Sequence, residues 1–195
     1  MTSLRDLIFL IALMVFSVNC FATTISKKPA IENDLNDVIQ HTFWFEQGNP
    51  QAPHRLYVMA EPNCSACHAL YENIAPDIES GKMSVRWILV AFLKSSSLPK
   101  AISILTAKNP AGAWNQNELN FNMETESGGI LPDTVLSPQG KSAAEMILAN
   151  NAWAKQNGFK STPTILFETT TGKMVVLRGT PSAGFWPAYL REISH

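Results

Sequence analysis

Leu56-Tyr57-Val58-Met59-Ala60-Glu61-Pro62-Asn63-Cys64-Ser65-Ala66-Cys67 is a short apolar run, a proline, and then two cysteines three residues apart. A continuous apolar run of this length reads as a strand buried on both faces. Pro62 and Asn63 then open a helix, with Asn63 the expected N-cap. Cys64 falls in the first turn of that helix. There the unpaired N–H groups and the helix dipole favour negative charge and lower a thiol pKa. Cys67 lies one turn further in and is less exposed. A division of labour follows, in which Cys64 exchanges with an outside partner through a mixed disulfide and Cys67 resolves it. A bridge between the two closes so small a loop that it restrains the unfolded chain little. The pair is therefore read as chemistry rather than as a staple.

Working outward, residues 31–40 have helical spacing, Thr42 to Phe45 reads as a strand, and 47–53 reads as a turn. The cysteine helix is expected to bend near Pro76 and to end before Gly81, and Val85 to Phe92 reads as the next strand. Residues 98–158 form a long insertion, helical at both ends. Ala101, Ile104 and Leu105 mark its first helix. Ala143, Met146, Ile147, Asn150 and Trp153 mark the second, stopped by Gly158. Ser127-Gly128-Gly129 reads as a loop between them. Thr164 to Phe167 and Met174 to Leu177 flank a hairpin turn, and Phe185 to Ile193 reads as a closing helix. The order of elements is an α/β pattern, one sheet with helices on both faces.

The 195 residues suffice for one domain with a sizeable core, and 46% hydrophobic with 16% charged residues is a globular balance. A net charge of -1 gives no electrostatic case for nucleic acid or for an acidic membrane surface. Leu7 to Val18 is almost wholly apolar but shorter than the roughly 20 residues a bilayer span needs. It suits the core of a secretory signal, residues 1–22, with cleavage after Ala22; an uncleaved anchor is the alternative. Cleavage removes Cys20 and leaves only Cys64 and Cys67, in a compartment where disulfides persist.

Thr162-Pro163-Thr164 has two readings in isolation. It is either a trans proline at a strand start or, if cis beside the cysteines, a device that leaves the Thr162 backbone free to pair with an incoming peptide.

On these residues the chain resembles the thioredoxin superfamily, and more closely the catalytic domain of the periplasmic DsbC/DsbG disulfide isomerases. The segment 57–67 is the most specific part; Ser80-Gly81-Lys82 through Leu89-Val90, Asn109-Pro110 to Trp114, and Thr162-Pro163-Thr164 add to it. The resemblance implies a thioredoxin fold with a helical insertion between the first βαβ part and a C-terminal hairpin plus helix. It implies a thioredoxin-like domain over 41–195, preceded by an extension or linker helix at 23–40. Cys64 and Cys67 become the catalytic pair, and Thr162 and a cis Pro163 the substrate-binding residues. Ser65 and Ala66 depart from the aromatic residue, often with proline or glycine, that such proteins usually carry between the cysteines. With His68 they are the residues expected to tune the potential. The implied activity is periplasmic thiol–disulfide exchange or isomerisation on cysteine-containing exported proteins. It needs no metal and no cofactor beyond the dithiol. A membrane redox partner of the DsbD type, or a quinone-linked oxidase, would recharge the pair.

Two other readings stand beside this one. Cys64-Ser65-Ala66-Cys67-His68 also fits the covalent haem pattern C-x-x-C-H, with His68 proximal and Met123 or Met146 distal. A non-catalytic binding or chaperone-like module would keep the fold and use an exposed cluster among Phe43, Trp44, Trp87 and Trp114. Zinc finds two thiolates and His68 but no fourth ligand nearby, since His41, His54 and His195 are scattered. Glu124 and Glu126 lie in a polar loop and read as solvated.

Overall fold

The computed structural model describes residues 35–133 and 137–194. The expected signal segment and the expected extension before Leu35 fall outside the described residues. Five strands, β1 Phe45–Gly48, β2 His54–Ala60, β3 Met83–Leu89, β4 Thr164–Glu168 and β5 Met174–Arg178, form one sheet in the order β1-β3-β2-β4-β5. β2 runs parallel to β3; the other pairings are antiparallel. The continuous apolar run falls on β2, which pairs on both edges, Val58 facing Trp87 of β3 and Ile165 of β4. Its side chains alternate between two cores. Leu56, Val58 and Ala60 enter one cluster, Tyr57 and Met59 the other.

The helices are α1 Leu35–His41, α2 Ser65–Glu79, α3 Ser97–Thr106, α4 Pro110–Leu119, α5 Pro138–Gln156 and a single turn, α6 Trp186–Tyr189. α2 buries Cys67, Leu70, Tyr71, Ile74 and Ile78, a stripe at helical spacing. At roughly 2 kcal/mol for each large apolar side chain, this burial holds the cysteine helix to the sheet far more firmly than its intrinsic propensity. The helix passes through Pro76 and stops where Gly81 takes φ +73. Gly81 and Lys82 N–H groups return to the carbonyls of Ile78 and Asp77, at 3.1 and 2.9 Å, in a Schellman closure. α1 packs Val38 against the second cluster together with Trp153 and Ala154 of α5.

Several boundaries depart from the sequence reading. β1 begins at Phe45 and runs into the stretch read as a turn. Gly48 pairs with Ser84 as the last residue of the strand, and glycine is required there because φ is +94 and a side chain would meet the Met83 carbonyl at 2.6 Å. β3 leaves the sheet after Leu89, three residues before Phe92. The Asn151 side chain takes over as its partner, accepting from Ala91 N–H at 2.9 Å and donating to Ala91 C=O at 3.1 Å. This turns Phe92 out of the strand. The insertion contains a third helix, α4, capped by Asn109 with Pro110 in its first turn. The closing helix shrinks to a 3-10 turn, Ala183–Phe185, and α6. The chain beyond it pairs with strand ends instead. Ser194 N–H reaches Glu168 C=O at 2.8 Å, Arg55 N–H reaches Ser194 C=O at 3.2 Å, and Ile193 bridges Thr169.

Candidate functional site

β2 delivers the chain to the start of α2, where Cys64 itself is the N-cap. The expectation for Asn63 is corrected here. Cys64 has the extended cap backbone, φ -97 and ψ 107, and its Sγ accepts from Cys67 N–H at 3.0 Å. Asn63 is instead a buried tie. It donates to the Ser96 and Ser97 hydroxyls, both at 3.1 Å, and accepts from Lys100 Nζ at 3.2 Å. A capping sulfur held by a helix N–H is placed to be stabilised as a thiolate.

Cys64 and Cys67 are joined as a disulfide with Cα atoms 5.1 Å apart. Cys67 is sealed from solvent, whereas Cys64 is 5% exposed at the floor of a cavity of about 400 Å³. Phe92, Leu93, Lys94, Glu126, Lys160 and Thr162 wall that cavity. The Thr162–Pro163 bond is cis, and the Thr162 carbonyl oxygen lies 3.5 Å from Cys64 Sγ. Residues 98 positions apart in sequence thus meet at one sulfur.

The flanking residues are individually engaged. Ser65 donates to the Glu126 carboxylate at 3.2 Å, so Glu126 is not merely a solvated loop acid. Ala66 C=O accepts from the Thr180 hydroxyl. His68 lies flat on Phe121, rings 4.8 Å apart and 9° from parallel. Its Nδ1 approaches Glu118 Oε2 at 3.4 Å and its Nε2 approaches Glu72 Oε1 at 3.7 Å. The Glu118 carboxylate raises the His68 pKa above its ordinary value; partial burial opposes this and Glu72 adds to it. With the two sulfurs bonded to each other and this ring covered by Phe121, the geometry gives the haem reading no support. The aromatic cluster of the binding-module reading does not form either. Trp87 and Trp114 are wholly buried in the core, packed 4.9 Å apart.

Sequence reasoning missed three buried ionisable groups behind the cysteines. Glu61 follows the last residue of β2, its Oε2 accepting from Asn63 N–H at 2.7 Å. Burial raises its pKa, against hydrogen bonds from Ser97, Asn63 and Leu93. Lys100 donates to Ser127 at 2.7 Å and to the Gly128 carbonyl, and burial lowers its pKa. Glu118, raised by burial, accepts from Asn117 Nδ2 at 2.9 Å. An acid wedged between an apolar strand and a proline was a usable signal for Glu61. Lys100 and Glu118 left no comparable mark.

Residues 45–193 match the thioredoxin-like domain family. The chain belongs to that family. Two thiol:disulfide interchange proteins named DsbG are similar to this thioredoxin-like chain. The Pseudomonas aeruginosa protein is 26% identical over 80% of this chain and 56% of its own length. The Escherichia coli protein is 28% identical over 73% and 55%. The chain thus spans about half the length of the curated relatives it matches. Among solved structures, a disulfide interchange protein from Neisseria gonorrhoeae superposes with a TM-score of 0.55 at 15% identity. That likeness covers 76% of this chain and 93% of the other, and it concerns the fold alone. The thioredoxin fold with its helical insertion, α3 to α5 between β3 and β4, is therefore the architecture of this chain.

Proposed function

We propose that this chain is an exported thiol–disulfide oxidoreductase that exchanges disulfides with cysteine-containing proteins in the periplasm. The observation that carries the reading is the position of Cys64 Sγ. It caps α2, accepts the Cys67 N–H, and stands 3.5 Å from the carbonyl of Thr162 beside a cis proline, at the floor of an open cavity. The likeness to the DsbG proteins and the apolar segment at 7–18 support the same reading.

In the reducing direction the Cys64 thiolate attacks one sulfur of a client disulfide. The client S–S bond breaks, its other sulfur leaves as a thiolate and takes a proton, and a Cys64–client disulfide forms. The Cys67 thiolate then attacks Cys64 Sγ and expels the second client thiolate. The client gains two electrons and the chain is left with its Cys64–Cys67 disulfide. Stopping at the mixed disulfide and letting another client thiol attack gives isomerisation, with no net electron transfer. The oxidising direction is the same sequence reversed. Thr162 and Pro163 hold the client strand beside the sulfur, while Ser65, Ala66 and His68 set the thiolate's stability. Reductive turnover requires an electron donor of the DsbD type at the membrane; oxidative turnover requires a quinone-linked oxidase.

Replacing Cys64→Ala should abolish exchange with glutathione and with protein disulfides. Cys67→Ser should accumulate mixed disulfides with exported proteins, separable on non-reducing gels and identified by mass spectrometry. Exchange that survives Cys64→Ala sinks the reading.

A further inference from the structure

The cavity over Cys64 does not end at Phe92. A second hollow of about 280 Å³, lined by Phe92, Asn151, Ala154, Lys155, Phe159 and Lys160, shares the Phe92 and Lys160 walls with it. The two make one trough from the sulfur past Phe92 to Phe159. Phe92 is 47% exposed and Leu93 48%, adjacent in the chain and both beside the reactive sulfur. Isolated exposed apolar residues are ordinary; two that wall the same cavity as a capped cysteine are not. The exposure is built in, since Asn151 pins Ala91 by both its backbone groups and turns the next residue out of the sheet.

The rim of this trough is cationic. Lys94, Lys155 and Lys160 line it, against the single carboxylate of Glu126. Ser65 already donates to that carboxylate, and Lys94 Nζ is turned onto the carbonyls of Thr125 and Glu126 at 2.7 and 2.6 Å. Lys155 and Lys160 form no ion pair among the described residues. The whole chain carries -1, so this positive rim is a local arrangement rather than a reflection of overall charge.

We propose that the trough seats the client's own chain next to its cysteine and selects segments that pair a bulky apolar side chain with an acidic one. The inference rests on the thiol-exchange reading and names the substrate class of that site. The client lies extended along Thr162, as a strand added beside backbone groups, with its cysteine sulfur on Cys64. Its apolar side chain, within a few residues of that cysteine, enters the hollow between Phe92 and Phe159. Its carboxylate meets Lys155 and Lys160.

The test uses the Cys67→Ser chain with Cys64 joined to glutathione. Single-cysteine peptides of equal length are equilibrated with it, flanked by Phe and Glu, by Ala and Gln, or by Phe and Lys. The peptide thiolate attacks Cys64 Sγ, the bond to glutathione breaks, and the glutathione thiolate leaves and is protonated. One disulfide replaces another with no net oxidation. Mass spectrometry gives each equilibrium constant, which is divided by the constant for the same peptide against glutathione disulfide. This removes differences in intrinsic thiol chemistry.

The Phe/Glu peptide should exceed the Ala/Gln peptide roughly tenfold, through apolar burial with a smaller share from charge. It should exceed the Phe/Lys peptide about threefold through charge, a preference that fades as salt rises. Lys155→Glu with Lys160→Glu should reverse the order of the Phe/Glu and Phe/Lys peptides. Exchange with constants equal for all three peptides overturns the inference and leaves the thiol chemistry standing. No exchange even with glutathione overturns both. Equal constants with a dimer that Lys155→Glu dissolves would assign the trough to a second copy of the chain, which also overturns the inference.

Discussion

Glu61 and Glu118 are both buried behind the cysteine helix, and they are held in opposite ways. Glu118 faces a base, with His68 Nδ1 3.4 Å from its Oε2, and Asn117 donates to its other oxygen. Glu61 faces neutral donors. Asn63 N–H bonds its Oε2 at 2.7 Å, with Ser97 and Leu93 as further neutral donors. Burial raises the pKa of both. The difference is where the proton goes. At Glu118 and His68 the carboxylate raises the imidazole and the imidazole opposes the rise of the carboxyl, so a proton there is favoured on His68. Glu61 has no imidazole beside it; the nearby ammonium groups of Lys94 and Lys100 offset only part of its burial cost.

The largest effect should come from breaking the pair. Glu118→Leu leaves His68 half-covered by Phe121 without its close counter-charge and removes an acceptor from Asn117. A cost of about 3 kcal/mol in urea unfolding is expected where His68 is charged, near about pH 6. His68 is raised in the folded state, so its contribution is fully present below its ordinary value of 6.5 and is lost as pH rises through the folded value. The penalty should therefore shrink as pH rises through the folded value of His68. The His68 ring resonances should titrate at lower pH in the variant. An unshifted titration would mean that the Glu118 carboxylate does not stabilise the imidazolium.

Glu61→Gln should act in the other direction. A raised carboxyl contributes stability that is complete below its ordinary value of 4.5 and is lost as pH rises through its folded value. The glutamine keeps an oxygen for Asn63 N–H and removes the buried charge. It should gain about 1 kcal/mol at neutral pH and abolish that part of the acid-side slope. Comparing urea midpoints of the two proteins across pH checks this. A loss of stability at neutrality would place the ionised form in a network better than the one described.

The sequence exposed one wall of this site and hid the other. The apolar run, the proline and the cysteine spacing were enough to read β2, a helix following it, and the deeper burial of Cys67, because neighbours in sequence decide all three. Thr162-Pro163 was legible only through its motif; no local signal placed it against Cys64. Glu126 and Lys100 reach the cysteine loop from 61 and 37 residues away, and nothing in their own surroundings marks them. Lys100 sits beside Ala101 on α3, and its burial depends on Asn63, Ser127 and Gly128 arriving at its ammonium. The Asn63 cap was misread for a related reason. An asparagine side chain is the better cap in isolation, but here it is drawn away to Ser96, Ser97 and Lys100, and the sulfur takes its place. The closing helix failed because strand ends at Arg55 and Glu168 compete for its last backbone groups.

The smallest expected effect concerns whether the two acids sense each other. The charge on Glu61 is the least of the influences that raise Glu118, behind burial and the opposing contacts with His68 and Asn117. The two carboxylates also belong to different hydrogen-bond sets, one tied to the chain at Asn63 and the other to α4 and α2. A double-mutant cycle over Glu61→Gln and Glu118→Gln should therefore return a coupling below about 0.5 kcal/mol near neutral pH, the range found for sites without shared partners. Its sign is fixed by like charge: removing either carboxylate should make the other slightly easier to ionise, so the double variant should be slightly less stable than the sum of the two single changes predicts. A coupling of 1 kcal/mol or more, on the order found for contacting groups, would join the two acids into one buried network and erase the distinction between them.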